Sequence, residues 1–98
     1  MSILDIAKTD IDSLIGETLK PLVLESGQSM SEIANGCIIK ESRLRKLLSG
    51  KVRLSITELV NLSRILDFSI PNFFLDLENK VDGYMATGVA VDFVTKRK

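Results

Sequence analysis

The stretch GQSMSEIANGCIIKESRLRKLLSG, residues 27 to 50, decides how this chain folds. Gly27 is placed to end a preceding helix, because glycine enters the left-handed region without a Cβ clash. Ser29 and Glu32 form a capping box, in which the serine oxygen and the glutamate each satisfy a backbone N–H left open at a helix start. A short helix follows with Ile33, Ala34 and Cys37 on its apolar side, and Asn35-Gly36 stops it after about two turns. Residues 41 to 48 then make another helix, whose inward side is Leu44, Leu47 and Leu48 and whose end is marked by Gly50. Two short helices joined by a turn of about four residues are spelled out by local signals alone.

The outer side of the second of these helices carries the chemistry. At about 100° per residue, Ser42, Lys46 and Ser49 project opposite the leucines, and Arg43 and Arg45 flank that stripe. From Lys40 to Arg53 the chain holds six cations, Lys40, Arg43, Arg45, Lys46, Lys51 and Arg53, against the single acid Glu41. The net charge of the whole chain is zero, so this positive charge is local. A run of this kind serves either as a solvated helix face or as a polyanion-binding surface.

Towards the N-terminus, Ile11, Leu14, Ile15, Leu19, Leu22 and Val23 recur at helical spacing over residues 10 to 26, with Asp10 or Thr9 as N-cap. Pro21 lies inside this helix, where it removes a backbone donor, and a kink or break is expected near Thr18 to Lys20. Residues 2 to 8 are expected to form a separate helical turn. Towards the C-terminus, Ser55 and Glu58 repeat the capping box and open a strongly apolar fourth helix through Ile56, Leu59, Val60, Leu62, Ile65 and Leu66, ending near Asp67. Ser69-Ile-Pro-Asn caps a short fifth helix with Phe73, Phe74 and Leu77. Glu78 to Gly88 reads as polar and turn-prone, and Val89 to Val94 as one β-branched strand. A lone strand must pair with another chain, pair with an N-terminal segment, or fray.

Composition narrows the function. The 98 residues, 45% hydrophobic, suit one modest core, and no run reaches the roughly 20 apolar residues of a bilayer span, so no membrane partner and a cytosolic location are expected. With one cysteine, Cys37, and no histidine, neither an intramolecular disulfide, nor the usual zinc clusters, nor a histidine-based triad can form. No metal and no cofactor are expected. Lys, Tyr, Ser and carboxylates are not gathered into a catalytic motif, so an enzyme is not expected.

The helical order and the segments Gly27-Gln-Ser-Met-Ser-Glu-Ile-Ala, Leu44, Leu47 and Gly50, Ser55-Ile-Thr-Glu-Leu-Val and Leu66-Asp-Phe-Ser-Ile-Pro resemble the lambda-repressor-like family, also called Cro/CI or XRE-type helix-turn-helix proteins. The resemblance runs from about Asp10 to Leu77. It implies an all-α, five-helix lambda-repressor-like helix-turn-helix domain over residues 10 to 77, an N-terminal extension over 1 to 9 and a C-terminal extension over 78 to 98. It also implies that the helix 41 to 48 lies in the major groove, presenting Glu41, Ser42, Lys46 and Ser49, the stripe that helical geometry selects independently. The chain departs from the family pattern at three places. Met30 stands where many members have glutamine. Ile38 stands where the turn usually has glycine, and a β-branched residue resists positive φ, so a differently built turn is expected. Lys40 replaces the usual Ser/Thr cap.

The expected function is therefore that of a sequence-specific regulator of double-stranded DNA, of repressor type, bound to a palindromic operator as a homodimer. Arg43, Arg45, Lys51 and Arg53, with Lys40 and Ser29 at the helix starts, are expected at phosphates. Lys46 is expected at guanine, Ser42 and Ser49 at either a donor or an acceptor, and Glu41 at cytosine or simply at the helix dipole. One helix reads few base pairs, so two-fold pairing is expected through Val89, Val91 and Phe93 of the strand or through Ile3, Leu4 and Ile6. A protein partner, with the fold serving as an antitoxin-like scaffold, is the competing expectation.

Overall fold

The computed structural model describes residues 8 to 93 of the chain; the expectations placed on residues 2 to 7 and on Val94 to Lys98 lie outside them. A strand β1 (Lys8–Asp10) leads into α1 (Ile11–Ser26), α2 (Met30–Gly36), α3 (Glu41–Leu48), α4 (Ile56–Ile65) and α5 (Ile70–Ala86), and β2 (Ala90–Asp92) follows. Among the described residues, no helix is long and apolar enough to cross a membrane.

Each helix begins as its cap chemistry demands. Asp10 accepts the Ser13 N–H at 2.7 Å at the start of α1, and both capping boxes, Ser29 with Glu32 and Ser55 with Glu58, are fully formed. Ser69 caps α5, with Pro71 in its first turn, where a missing N–H costs nothing. Pro21, by contrast, does not break α1, which is continuous from Ile11 to Ser26. Pro21 lies on the exposed side of this helix.

The helices close over one core. Leu14 and Leu19 of α1, Ile33 of α2, Leu44 of α3 and Leu62 of α4 are wholly withdrawn from solvent, and Phe73 and Leu77 of α5 join them. Cys37 is a small core residue, and burial, then Glu58, push its thiol pKa up, away from thiolate reactivity. Gly16 brings α1 against α3: a Cβ there would stand 2.4 Å from the Leu48 carbonyl oxygen.

Two elements differ from the sequence expectation. Residues 78 to 86, read as turn-prone, continue α5 for two further turns, because Val81 and Tyr84 prolong the inward stripe of Phe73 and Leu77 and pack on the core. The boundary at residue 77 therefore falls inside a helix. The C-terminal strand is not alone: β2 pairs in parallel with β1, in the register Lys8↔Ala90, Thr9↔Val91 and Asp10↔Asp92. Of the three fates open to such a strand, pairing with the N-terminal segment is the one realised within the chain.

Candidate nucleic-acid interface

The turn between α2 and α3 is a Schellman motif, in which the N–H of a left-handed residue and that of the residue after it return to the helix end. The Ile38 N–H donates to the Asn35 carbonyl at 3.1 Å and the Ile39 N–H to the Ala34 carbonyl at 3.0 Å. Ile38 takes the left-handed position, φ 56°, and points an 89% exposed side chain outward. The expectation of a differently built turn is thus corrected. The usual hydrogen bonds are made, and the isoleucine adopts the glycine conformation. Gly36, two residues earlier, is glycine for another reason: a Cβ there would come within 2.5 Å of the Ile65 side chain.

α3 starts at Lys40, which caps it with no side-chain hydrogen bond. Leu44 and Leu47 are buried, so the opposite side of the helix is fixed outward. Ser42, Arg45, Lys46 and Ser49 are exposed on it, with Lys40 before and Lys51 after. Arg45 reaches back one turn to Glu41 at 2.8 Å, an exposed pair of the kind that water largely screens. Glu41 is therefore engaged with Arg45 at the helix start. The Ser49 hydroxyl donates to the Lys46 carbonyl at 3.2 Å, which leaves its lone pairs to accept. Lys40, Lys46 and Lys51 make no ion pair with a described acid. Ser29, expected at a phosphate, spends its oxygen on the Glu32 N–H at 3.1 Å, while the Ser29 N–H, with the Ser29 hydroxyl, holds the Glu32 carboxyl below the usual carboxylate range.

Arg43 and Arg53, also expected at phosphates, are given different work. Arg43 forks onto Glu58 at 2.8 and 3.0 Å and donates to the Arg53 carbonyl at 3.1 Å. These hydrogen bonds, opposed by burial and helped by Ser55, hold the Glu58 carboxyl at about 2, and the Arg43 guanidinium pKa rises in turn. Arg53 forks onto Asp12, whose side chain is fully buried, at 2.5 and 3.2 Å. Asp12 first, then Asp10 and Asp92, raise the Arg53 pKa, so the guanidinium sits in a field that repels a phosphate. Both arginines hold the loop after α3 to the domain.

Sequence reading missed the partners in these pairs. Glu58 was legible only as a cap residue. Asp12 did leave a signal: it lies seven residues before the buried Leu19, hence on the inward stripe of α1, where a carboxylate calls for a cation. Of the residues assigned to dimerisation, Val91 packs against the chain's own core, Val89 is half-buried and Phe93 is exposed.

No protein-family model and no curated protein sequence matches the chain. A structure of the clp gene regulator ClgR from Corynebacterium glutamicum superposes with a TM-score of 0.71 at 17% identity, covering 79% of this chain and 82% of its own. The five-helix, helix-turn-helix fold is shared between the two. A second ClgR structure gives 0.65 at 17% identity, covering 70% of this chain and 88% of its own. A mutant of the restriction-modification controller protein C.Esp1396I gives 0.64 at 20% identity, covering 72% and 95%. At such identity the helix-turn-helix architecture is what is shared, and the character of the outward face of α3 comes from this chain's own residues.

Proposed function

We propose that this protein is a sequence-specific, double-stranded-DNA-binding transcriptional regulator of repressor type, which lays α3 in the major groove and binds a palindromic operator as a homodimer. The observation that carries this reading is the outward face of α3. It is small and polar at Ser42 and Ser49, cationic at Lys46 and Arg45, and bracketed by Lys40 and Lys51, while its inward leucines fix its direction. Lys40, Arg45 and Lys51 take phosphates and set the register. Lys46 donates to guanine O6 or N7, Ser42 donates or accepts, and Ser49, its proton already used, accepts from adenine N6 or cytosine N4. Arg43, Arg53 and Glu41 support the helix and do not read bases. The two copies meet along β2, whose strand has β1 on one side only and carries the exposed Phe93 beside it.

The test is selection of bound duplexes from a random pool at two salt concentrations, with wild type and with Lys46→Ala and Arg45→Ala. Wild type is expected to recover a palindrome with half-sites about one helical turn apart. Lys46→Ala should cost about 1–3 kcal/mol and relax one position of the motif, whereas Arg45→Ala should weaken all sequences alike and lower the salt slope by about 1. No enrichment by wild type at either salt would sink the reading.

A second reading, a protein-interaction module of the antitoxin type, is favoured by the exposed Phe74, Leu75 and Met85 on α5. It predicts that a partner protein, and not a duplex, is what the chain enriches.

A further inference from the structure

Arg53 stands where four parts of the chain meet. Its Nε and one terminal nitrogen hold Asp12 at the start of α1, and the same terminal nitrogen lies 3.5 Å from the Phe93 carbonyl oxygen just beyond β2. Asp10 and Asp92, direct partners in the β1–β2 register, would repel each other across the sheet, and both lie within the field of the Arg53 guanidinium. The loop that carries Arg53 leaves α3 at Gly50, against Ser13 of α1, and buries Val52 on the way. Lys51, the cation proposed for a phosphate, lies between these two fixed points, two residues from Arg53.

We propose that Arg53 is a positioning residue that ties the β1–β2 sheet to the α3–α4 loop, so that docking of β2 sets the placement of Lys51 at the end of the reading helix. The proposal rests on the DNA reading for its consequence, but the tie itself is a property of the free protein. It follows that a change at β2, including the meeting of two copies along that strand, is felt at the DNA face although no β2 residue touches DNA. The linkage runs both ways: a duplex that fixes Lys51 also firms β2.

The test uses the full chain and hydrogen exchange read by peptide mass spectrometry. Val91→Asp detaches β2 by placing a charge against the core beside Asp10 and Asp92, leaves Arg53 and Asp12 untouched, and keeps the five helices, which circular dichroism verifies. Exchange over residues 50 to 55 is expected to rise about tenfold, equal to about 1.4 kcal/mol. Arg53→Lys keeps a cation beside Asp12 but loses the fork that spans to Phe93. It should hold the melting temperature near that of wild type while exchange over 88 to 93 rises, a split that a merely structural arginine would not give. On duplex DNA, Val91→Asp should show a salt slope smaller by about 1, the loss of one phosphate contact. Unchanged exchange over 50 to 55 in Val91→Asp, or an unchanged salt slope in a variant that still binds, overturns the proposal. If wild type binds no duplex, the regulator reading fails and the exchange experiment still decides whether the tie exists.

Discussion

The two junctions that hold α3 are built in contrasting ways. On the entry side, Cys37 to Lys40 make a minimal turn: two backbone hydrogen bonds, an exposed isoleucine in a left-handed conformation, and an N-cap without a side-chain bond. On the exit side, Gly50 sits against Ser13, Val52 is buried, Arg43 bonds Glu58 and the Arg53 carbonyl, and Arg53 bonds Asp12. Both junctions are Schellman motifs; the second returns the Lys51 N–H to the Lys46 carbonyl at 2.9 Å. The difference lies in what is attached. The loop after α3 is tied to α1 and α4, whereas the turn before it has little beyond its own backbone and the half-buried Ile39. The helix α3 itself is held in its first turn by Arg43, which bonds Glu58, and by the buried Leu44.

The exit side should therefore be the costlier to disturb. At Gly50 two demands coincide, a φ of 75° and a Cβ position within 2.9 Å of three Ser13 atoms, two of them backbone. Gly50→Ala is expected to lose about 2–5 kcal/mol, the sum of left-handed strain and overpacking. Urea unfolding at neutral pH measures it, and a loss under about 1 kcal/mol would mean that the loop is looser than its contacts imply.

Glu58 comes next. Its carboxyl titrates at about 2 when folded, against 4.5 for the ordinary group. A depressed carboxylate pKa stabilises the fold above the unfolded value, so the contribution is complete above about pH 4.5 and fades as pH falls towards 2. The difference of about 2.5 units corresponds to about 3 kcal/mol. Glu58→Gln should lower stability by that order at pH 7 and flatten the acid limb between pH 4.5 and 2, which denaturant unfolding at a series of pH values would show. An acid limb equally steep in wild type and variant would remove the Arg43–Glu58 pair from the account of the exit clamp.

What the sequence disclosed and what it hid divide along the same line. Ser29 with Glu32, Ser55 with Glu58, Gly27, Gly50 and the leucines of α3 are local signals, each acting within four residues, and each was legible. Arg53 and Asp12 stand 41 positions apart and Arg43 and Glu58 stand 15 apart, so a basic run that looked wholly available for phosphate proved to be partly structural. The β1–β2 pairing joins the two ends of the chain and leaves no periodic trace in three-residue strands. α5 outran its expected end because packing of Val81 and Tyr84 outweighed the weak helix preference of Asn79, Asp82 and Gly83. Ile38 was misjudged for the opposite reason, since a real local cost was overruled by the hydrogen bonds of the turn.

That cost supplies the smallest effect, with the sign reversed. A non-glycine residue in the left-handed region carries about 1–2 kcal/mol of strain, more keenly felt when branched at Cβ. At 89% exposure the Ile38 side chain recovers almost nothing from burial. Ile38→Gly relieves the strain but gives the unfolded chain extra freedom worth about 0.4–1 kcal/mol, so the net gain should be about 0.5–1 kcal/mol. Asp67 offers an internal control: it closes α4 with φ 54° and the Phe68 N–H returns to the Ser63 carbonyl, but Asp enters that region more readily and is not branched at Cβ, so Asp67→Gly should gain less than Ile38→Gly. Thermal unfolding of the two variants side by side ranks them. If Ile38→Gly gains no more than Asp67→Gly, the entry turn is unstrained, and the contrast between the ends of α3 then reduces to the contacts on the exit side alone.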